Sequence, residues 1–262
     1  MRLDAGLSAR ALATLAGWHF TKVSRLENGK RSPSTSDIRT WCRCTGAEDQ
    51  VVDLIATARS IDAMYAEWRR HARAGLKHLQ ESYVPLYEQT ELFRVYENSV
   101  IPGLLNTAGY AAATLRFWAG LLDLPDTDAA VAARMERQNI LYGRARSFQF
   151  VIEEQSLRTR IGGAEIMAEQ LDRLLALMSL PTVRLGIIPA AGERQGRANC
   201  NFWMYDEALV QVETVSARLD ITQPAEITLY AQVFELLQRS AMYGPDARAL
   251  IGRALAEVTA AG

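Results

Sequence analysis

Cysteine, histidine and long apolar runs are all scarce in this chain of 262 residues, and each scarcity removes a class of protein. The three cysteines, Cys42, Cys44 and Cys200, are odd in number and lack CxxC spacing. Neither a disulfide framework nor a zinc knuckle is indicated, and reduced thiols are expected. The three histidines, His19, His71 and His78, have no metal-ligand spacing with any cysteine. His71 and His78 fall on one helix face but are seven residues apart, too far to chelate one ion together. No metal and no cofactor are therefore expected. No run of eighteen apolar residues occurs, and the opening MRLDAGLSAR has no apolar segment of signal-peptide length. The expectation is a cytoplasmic protein with no membrane contact. The GxSxG, HExxH, GxGxxG and GxxxxGK[ST] signatures are missing as well, so an enzyme here would have to work without a familiar catalytic motif.

What is present is 49% apolar and 23% charged residues, the balance of a globular chain. The length suits one large domain or two ordinary ones. The net charge of −1 conceals an asymmetry: residues 1–45 carry eight Lys/Arg against three Asp/Glu, a balance of +5, which leaves −6 for the remainder. A small basic head on an acidic body is the charge layout of a nucleic-acid-reading domain joined to a sensor or partner-binding domain.

Residues 8–16 have Ser8 in N-cap position, with Leu12, Leu15 and Ala16 on one side, and Gly17 stops the helix. Residues 19–27 form a second short helix, closed by Asn28-Gly29. A third follows Pro33, with Ile38, Trp41, Cys42 and Thr45 at buried-stripe spacing. Two helices crossing steeply need a small residue at the close approach, a turn tolerant of positive φ and apolar side chains that seal the pair. Ala13, Gly17 and the set Leu12, Ala16, Trp18, Val23 and Leu26 meet those demands. From Glu48 a long helix is predicted to about residue 82, with Val51, Ala58, Tyr65, Ala72 and Leu79 seven apart, a stripe that serves either as a dimer seam or as packing against the body.

The stretch GLSARALATLAGWHFTKVSRLENGKRSPS resembles the xenobiotic-response-element (Xre) type of phage-repressor helix-turn-helix over about residues 3–55. The resemblance implies a partner in double-stranded DNA, with 19–27 as the recognition helix in the major groove. Arg25 is the first candidate for base reading, because arginine matches the N7 and O6 acceptors of guanine. His19, Phe20, Thr21 and Lys22 crowd the first turn, where base edges come nearest. Ser8, Asn28, Lys30, Arg31 and Ser34 lie at helix ends and loops, where phosphates are held. Trp18 is expected in the core, and Glu27 paired with a local arginine. Ala9 stands where the family has a phosphate-holding glutamine, and only Met1–Asp4 stands where a helix of some ten residues normally comes first, so the head is expected to be shortened.

The rest of the chain resembles the uncharacterised C-terminal domain that follows such a head in many actinomycete regulators. The matching words are IPGLLNTAGYA at 101–111, RMERQNILYG at 134–143, FVIEEQSLR at 150–158, IGGAEIMAEQLDRLLAL at 161–177 and VRLGIIPAAG at 183–192. This implies a transcriptional regulator, often encoded beside a small partner protein in an antitoxin-like arrangement. From the residues themselves, 83–120 reads as interrupted helix and 126–144 as another. Phe148–Ile152 and Val183–Ile188 read as strands flanking a helix over 164–180, a parallel unit. Asn201–Tyr205 and Leu209–Val215 read as a hairpin, and two helices begin near Pro224 and Asp246.

The fold expected is α+β: a helix-turn-helix head at 1–46, a connecting helix at 47–82 and a mixed α/β domain at 83–262. Glu153-Glu154 ends a strand, where ligands of α/β sheets gather. Arg134, Arg137 and Gln138 share a helix face, and with Tyr110 these residues make a candidate pocket for a small-molecule effector. The function expected is a sequence-specific DNA-binding regulator, homodimeric, whose body senses a small molecule or a partner protein. Two other readings stand beside it: a cofactor-free enzyme using Glu153 and Glu154, for example on a nucleotide or an aminoacyl-tRNA, and an antitoxin-like protein-interaction module.

Overall fold

The computed structural model describes residues 1–55, 58, 75–214 and 218–260, in two compact units, Met1–Glu67 and Trp68–Gly262. Among its described residues the first unit has helices and no strand: α1 (Ala9–Ala16), α2 (Phe20–Glu27) and α3 (Thr35–Thr45), followed by helical residues from Val51. Ser8 caps α1 by accepting from the Ala11 N–H at 3.1 Å, and Gly17 ends it at φ +67°, a conformation L side chains rarely adopt. Leu12, Ala13 and Val23 are buried between the three helices, with Trp18 and Trp41 packed beside them. A second cluster of Ile38, Cys42 and Ile55 takes Met1 and Leu54 at its edge. The chain before α1 is not an added helix but a single turn, closed by Ala5 N–H to Met1 carbonyl at 3.0 Å.

The connecting helix predicted over 47–82 does not run unbroken. Residues Glu48–Gln50 are 3-10 helix, and at the other end Gly75 has φ +99°, after which a new helix, α4 (Leu76–Glu81), begins. Tyr65 and Ala72 of the heptad stripe lie outside the described residues.

The second unit is a six-stranded sheet with helices on both faces. Its elements in order are α4, α5 (Val84–Gln89), β1 (Leu92–Glu97), α6 (Ala108–Leu122), α7 (Thr127–Arg137), β2 (Ser147–Glu153), α8 (Glu154–Arg158) and α9 (Ala164–Leu177). β3 (Val183–Ile188), β4 (Phe202–Tyr205), β5 (Leu209–Glu213), β6 (Arg218–Ile221), α10 (Pro224–Ser240) and α11 (Gly244–Ala260) follow. The strand order is β3-β2-β1-β4-β5-β6. β1, β2 and β3 are mutually parallel, joined by helical crossovers, while β4, β5 and β6 continue antiparallel from the other side of β1. The parallel β2–β3 pair and the β4–β5 hairpin match the sequence reading.

Two assignments are corrected. LFRVYE is strand β1 at the sheet centre, not part of an interrupted helix: Phe93 and Val95 bury on one face and Tyr96 on the other, so the period is two. The helix read over 126–144 ends at Arg137 and tightens into a 3-10 segment, Gln138–Tyr142. β6 and α8 were not foreseen.

Pleating sorts the core into two halves. Phe93, Val95, Phe148, Phe150, Ile152 and Leu185 face the helices α9 and α11, which bury Leu171, Leu174, Leu250 and Ile251 against them. Tyr96, Val151, Phe202, Met204 and Val210 face α10, which answers with Ile227, Phe234 and Leu237. Each such side chain contributes about 1.5–3 kcal/mol of burial, which makes the sheet centre a rigid platform.

Candidate functional site

In the head, the geometry of α2 divides its side chains between structure and surface. Val23 is buried and Leu26 half-buried, while Phe20, Thr21 and Arg25 are exposed. The Arg25 side chain makes no hydrogen bond or ion pair with any described residue, and its guanidinium is exposed. His19 is the N-cap: its Nδ1 accepts from the Thr21 N–H at 3.3 Å and lies 2.7 Å from the Thr21 hydroxyl. Lys22, expected among the base readers, is placed differently. Its Nζ sits 2.5 Å from Asp37 Oδ1 and 4.1 Å from the centre of the Trp18 ring, clasping α2 to α3. Burial raises the Asp37 carboxyl, but Lys22 and the Ser34 N–H and hydroxyl outweigh it and hold the group below the usual carboxylate range. Glu27 pairs with Arg2, as a local arginine was expected to do.

Among the candidate phosphate contacts, Ser8, Lys30, Arg31 and Ser34 are exposed at loops and helix starts. Ser34 also closes a capping box, accepting from Asp37 N–H at 3.1 Å while its own N–H donates to Asp37 Oδ2. Asn28 spends its side-chain amide on the Ser24 carbonyl at 2.7 Å.

In the body, the six residues of the candidate pocket do not meet. Glu153 and the arginines occupy opposite faces of the sheet: Ile152 points toward α9 and α11, so its neighbour Glu153 points the other way. There it accepts from the Tyr96 hydroxyl at 2.9 Å and forms a bidentate pair with Arg194, both contacts 2.7 Å. Glu154 opens α8 and is held by Arg158 at 2.6 Å and by the Ala190 N–H at 2.7 Å. Both carboxylates are thus consumed by structural bonds. Tyr110 and Gln138 pin the IPGLLNT loop: the Tyr110 hydroxyl accepts from Ile101 N–H at 3.2 Å, and Gln138 donates to the Gly103 and Asn106 carbonyls at 2.9 Å.

Arg134 and Arg137, by contrast, line a cavity of about 610 Å³ on the α9 and α11 face of the sheet. The sheet order changes direction at β1, and Glu97, the last residue of β1, is in the cavity wall. The carboxyl end of a strand at such a switch point is where α/β folds collect ligands. α5 and the residue before it bring Tyr87 and Tyr83, β4 brings Trp203, β5 brings Glu213, and α4 brings Gln80. Arg137 lies over the Tyr83 and Tyr87 rings at 4.8 and 5.0 Å and donates to the Gln80 carbonyl at 3.2 Å. Arg134 donates to Gln80 Oε1 at 3.1 Å and Asn106 Oδ1 at 3.3 Å. Desolvation and the adjacent Arg137 push Arg134 down to about 10. Burial, with Glu213 nearby, pushes Glu97 up to about 7, even though the Trp203 indole N–H donates to its Oε1 at 2.9 Å. Sequence reasoning missed Glu97 because it missed β1. The alternation of F-V and R-Y in LFRVYE was the available signal.

Among the described residues, no helix is long and apolar enough to cross a membrane. A comparison with curated proteins gave no match. Residues 1–55 match the model of a helix-turn-helix domain, which supports a DNA-binding regulator. Residues 80–253, well over half the chain, match the model described as a domain of unknown function (DUF5753), and the protein therefore belongs to that family.

Proposed function

We propose that the protein is a sequence-specific transcriptional regulator of the Xre type, with α2 as the reading helix and the DUF5753 body as the sensor of a small molecule. The observation that carries the reading is the split on α2, where Val23 and Lys22 are committed to the head while Arg25 and Phe20 face outward. An arginine so placed offers two donors to a guanine edge. On this reading the protein acts as a homodimer, whose two reading helices lie about one duplex turn, about 34 Å, apart. The cavity supports a small-molecule effector over a partner protein, because it is a concave cleft lined by charged and aromatic side chains and of a size that suits one small ligand.

Fluorescence anisotropy with the promoter fragment of the protein's own gene and a scrambled duplex tests the reading. Arg25→Ala is expected to weaken cognate binding by about 1–3 kcal/mol, roughly fivefold to 150-fold, with an unchanged circular dichroism melt. Equal affinity of wild type and variant for both duplexes overturns it.

A further inference from the structure

The cavity beside β1 contains two kinds of unmet demand. Its two guanidiniums have no carboxylate within salt-bridge distance among the described residues, and Arg137, only 8% exposed, has a buried Nε without a partner. The buried Arg137 and the half-buried Arg134 repel each other side by side, and neither is ion-paired among the described residues, the Glu213 carboxylate of the same wall acting on Arg134 only from a distance. Glu97, 5% exposed, has the opposite need: its Oε1 is engaged by Trp203, while Oε2 is buried without a partner. Between these groups the wall is aromatic, with Tyr87 and Trp203 nearly parallel at an interplanar angle of 12° and ring centres 6.3 Å apart.

We propose that this cavity binds a planar aromatic molecule carrying an oxyanion, with Arg134 and Arg137 taking the oxyanion, Tyr87 and Trp203 contacting the ring, and Glu97 Oε2 meeting an N–H or O–H at its far end. The arginine pair supplies forked donors matched to two oxygens of a carboxylate or phosphoryl group. The aromatic wall supplies area and orientation at little entropic cost. Glu97 discriminates, because a ligand with no hydrogen-bonding group there leaves a buried oxygen unsatisfied. The inference rests on the sensing role proposed above, and it names the ligand chemistry of that role.

Thermal-shift and calorimetric titrations on the full chain test it. The probes are indole-3-acetate, 4-hydroxybenzoate and adenosine monophosphate, each beside its neutral counterpart (indole-3-acetamide, 4-hydroxybenzamide and adenosine). At least one anion is expected to raise the melting temperature and to bind at least tenfold more tightly than its neutral counterpart. Response to the carboxylates or to the nucleotide identifies the oxyanion source. Arg134→Met is expected to abolish the response. Should that variant fail to fold, Arg134→Lys, which keeps the charge and loses the fork, is expected to weaken binding at least tenfold. No shift with any anion at millimolar concentration, equal binding of the neutral counterparts, or undiminished binding by the Arg134 variants overturns the inference. Anisotropy with the promoter duplex separates the two proposals: anion binding that leaves DNA affinity unchanged preserves the site and refutes the sensing role, while intact DNA recognition without anion binding does the reverse.

Discussion

Glu97 illustrates how a single side chain acquires its chemistry from position. In isolation it is an ordinary carboxyl; at the end of a central strand, walled by Trp203, Asn201 and Glu213, burial holds it near 7. The folded state therefore binds the Glu97 proton more tightly than the unfolded chain, and stability from this group falls as pH rises from 4.5 to about 7. The full cost above that range is on the order of 3 kcal/mol. Glu97→Gln is accordingly expected to raise the melting temperature at pH 8 and to change it little at pH 4.5, measured by thermal denaturation across that range. A uniform shift at both pH values contradicts the assignment. The residue scale was also where sequence reasoning ran thinnest. That Arg134 and Arg137 share one helix face was legible from their spacing, and that Arg25 is exposed from its place in the second helix of the motif. Glu153 and Glu154, read as neighbours of those arginines, are not: Glu153 lies on the other face of the sheet and Glu97 lines the arginines' cavity, because a strand with an unknown neighbour gives no way to tell which of its faces meets a given helix.

At the scale of elements, α4 shows two helix starts competing for one carboxylate. Asp126 stands at the N-cap of α7 yet gives both oxygens to α4, accepting from the Leu76 N–H at 3.0 Å and the Lys77 N–H at 2.7 Å. Gly75 makes that approach feasible: a β-carbon there would lie 2.7 Å from Asp126 Oδ2, at a φ of +99°. Gly75→Ala is expected to cost about 1–3 kcal/mol in urea denaturation, and Asp126→Ala about 0.5–2 kcal/mol through loss of the cap. If the glycine variant is neutral, the close approach is not structural. The short helices of the head were readable because Ser8, Gly17 and Ser34 are strong local stop and start signals. The interruption at Gly75 was not, because a heptad stripe continues through it and the cause lies fifty residues away in Asp126. β1 was lost for a related reason: a buried central strand with mixed polarity reads much like helix until its neighbours are known.

For the molecule as a whole, the division of charge sets the expected response to salt. The head's excess of basic residues concentrates counterion release there, while the acidic body contributes little attraction to phosphate. Cognate affinity should therefore fall steeply with ionic strength. Replacing Lys30 and Arg31 together with alanine is expected to reduce the slope of log K against log salt by about 2 and to weaken cognate and scrambled duplexes alike. A slope unchanged by the double variant removes these residues from the phosphate set. The broad architecture, a helical head and an α/β body, was visible in the change of periodicity along the chain. The way the sheet turns back at β1 was not, since strand order is decided by long-range pairing that no local pattern records.

The Lys22–Asp37 clasp has one more implication. By fastening α2 to α3 through Lys22 and Asp37, the head holds that helix without using the Arg25 side chain. On the proposed reading, substitution at that one position rewrites target preference while the rest of the head stays an interchangeable chassis.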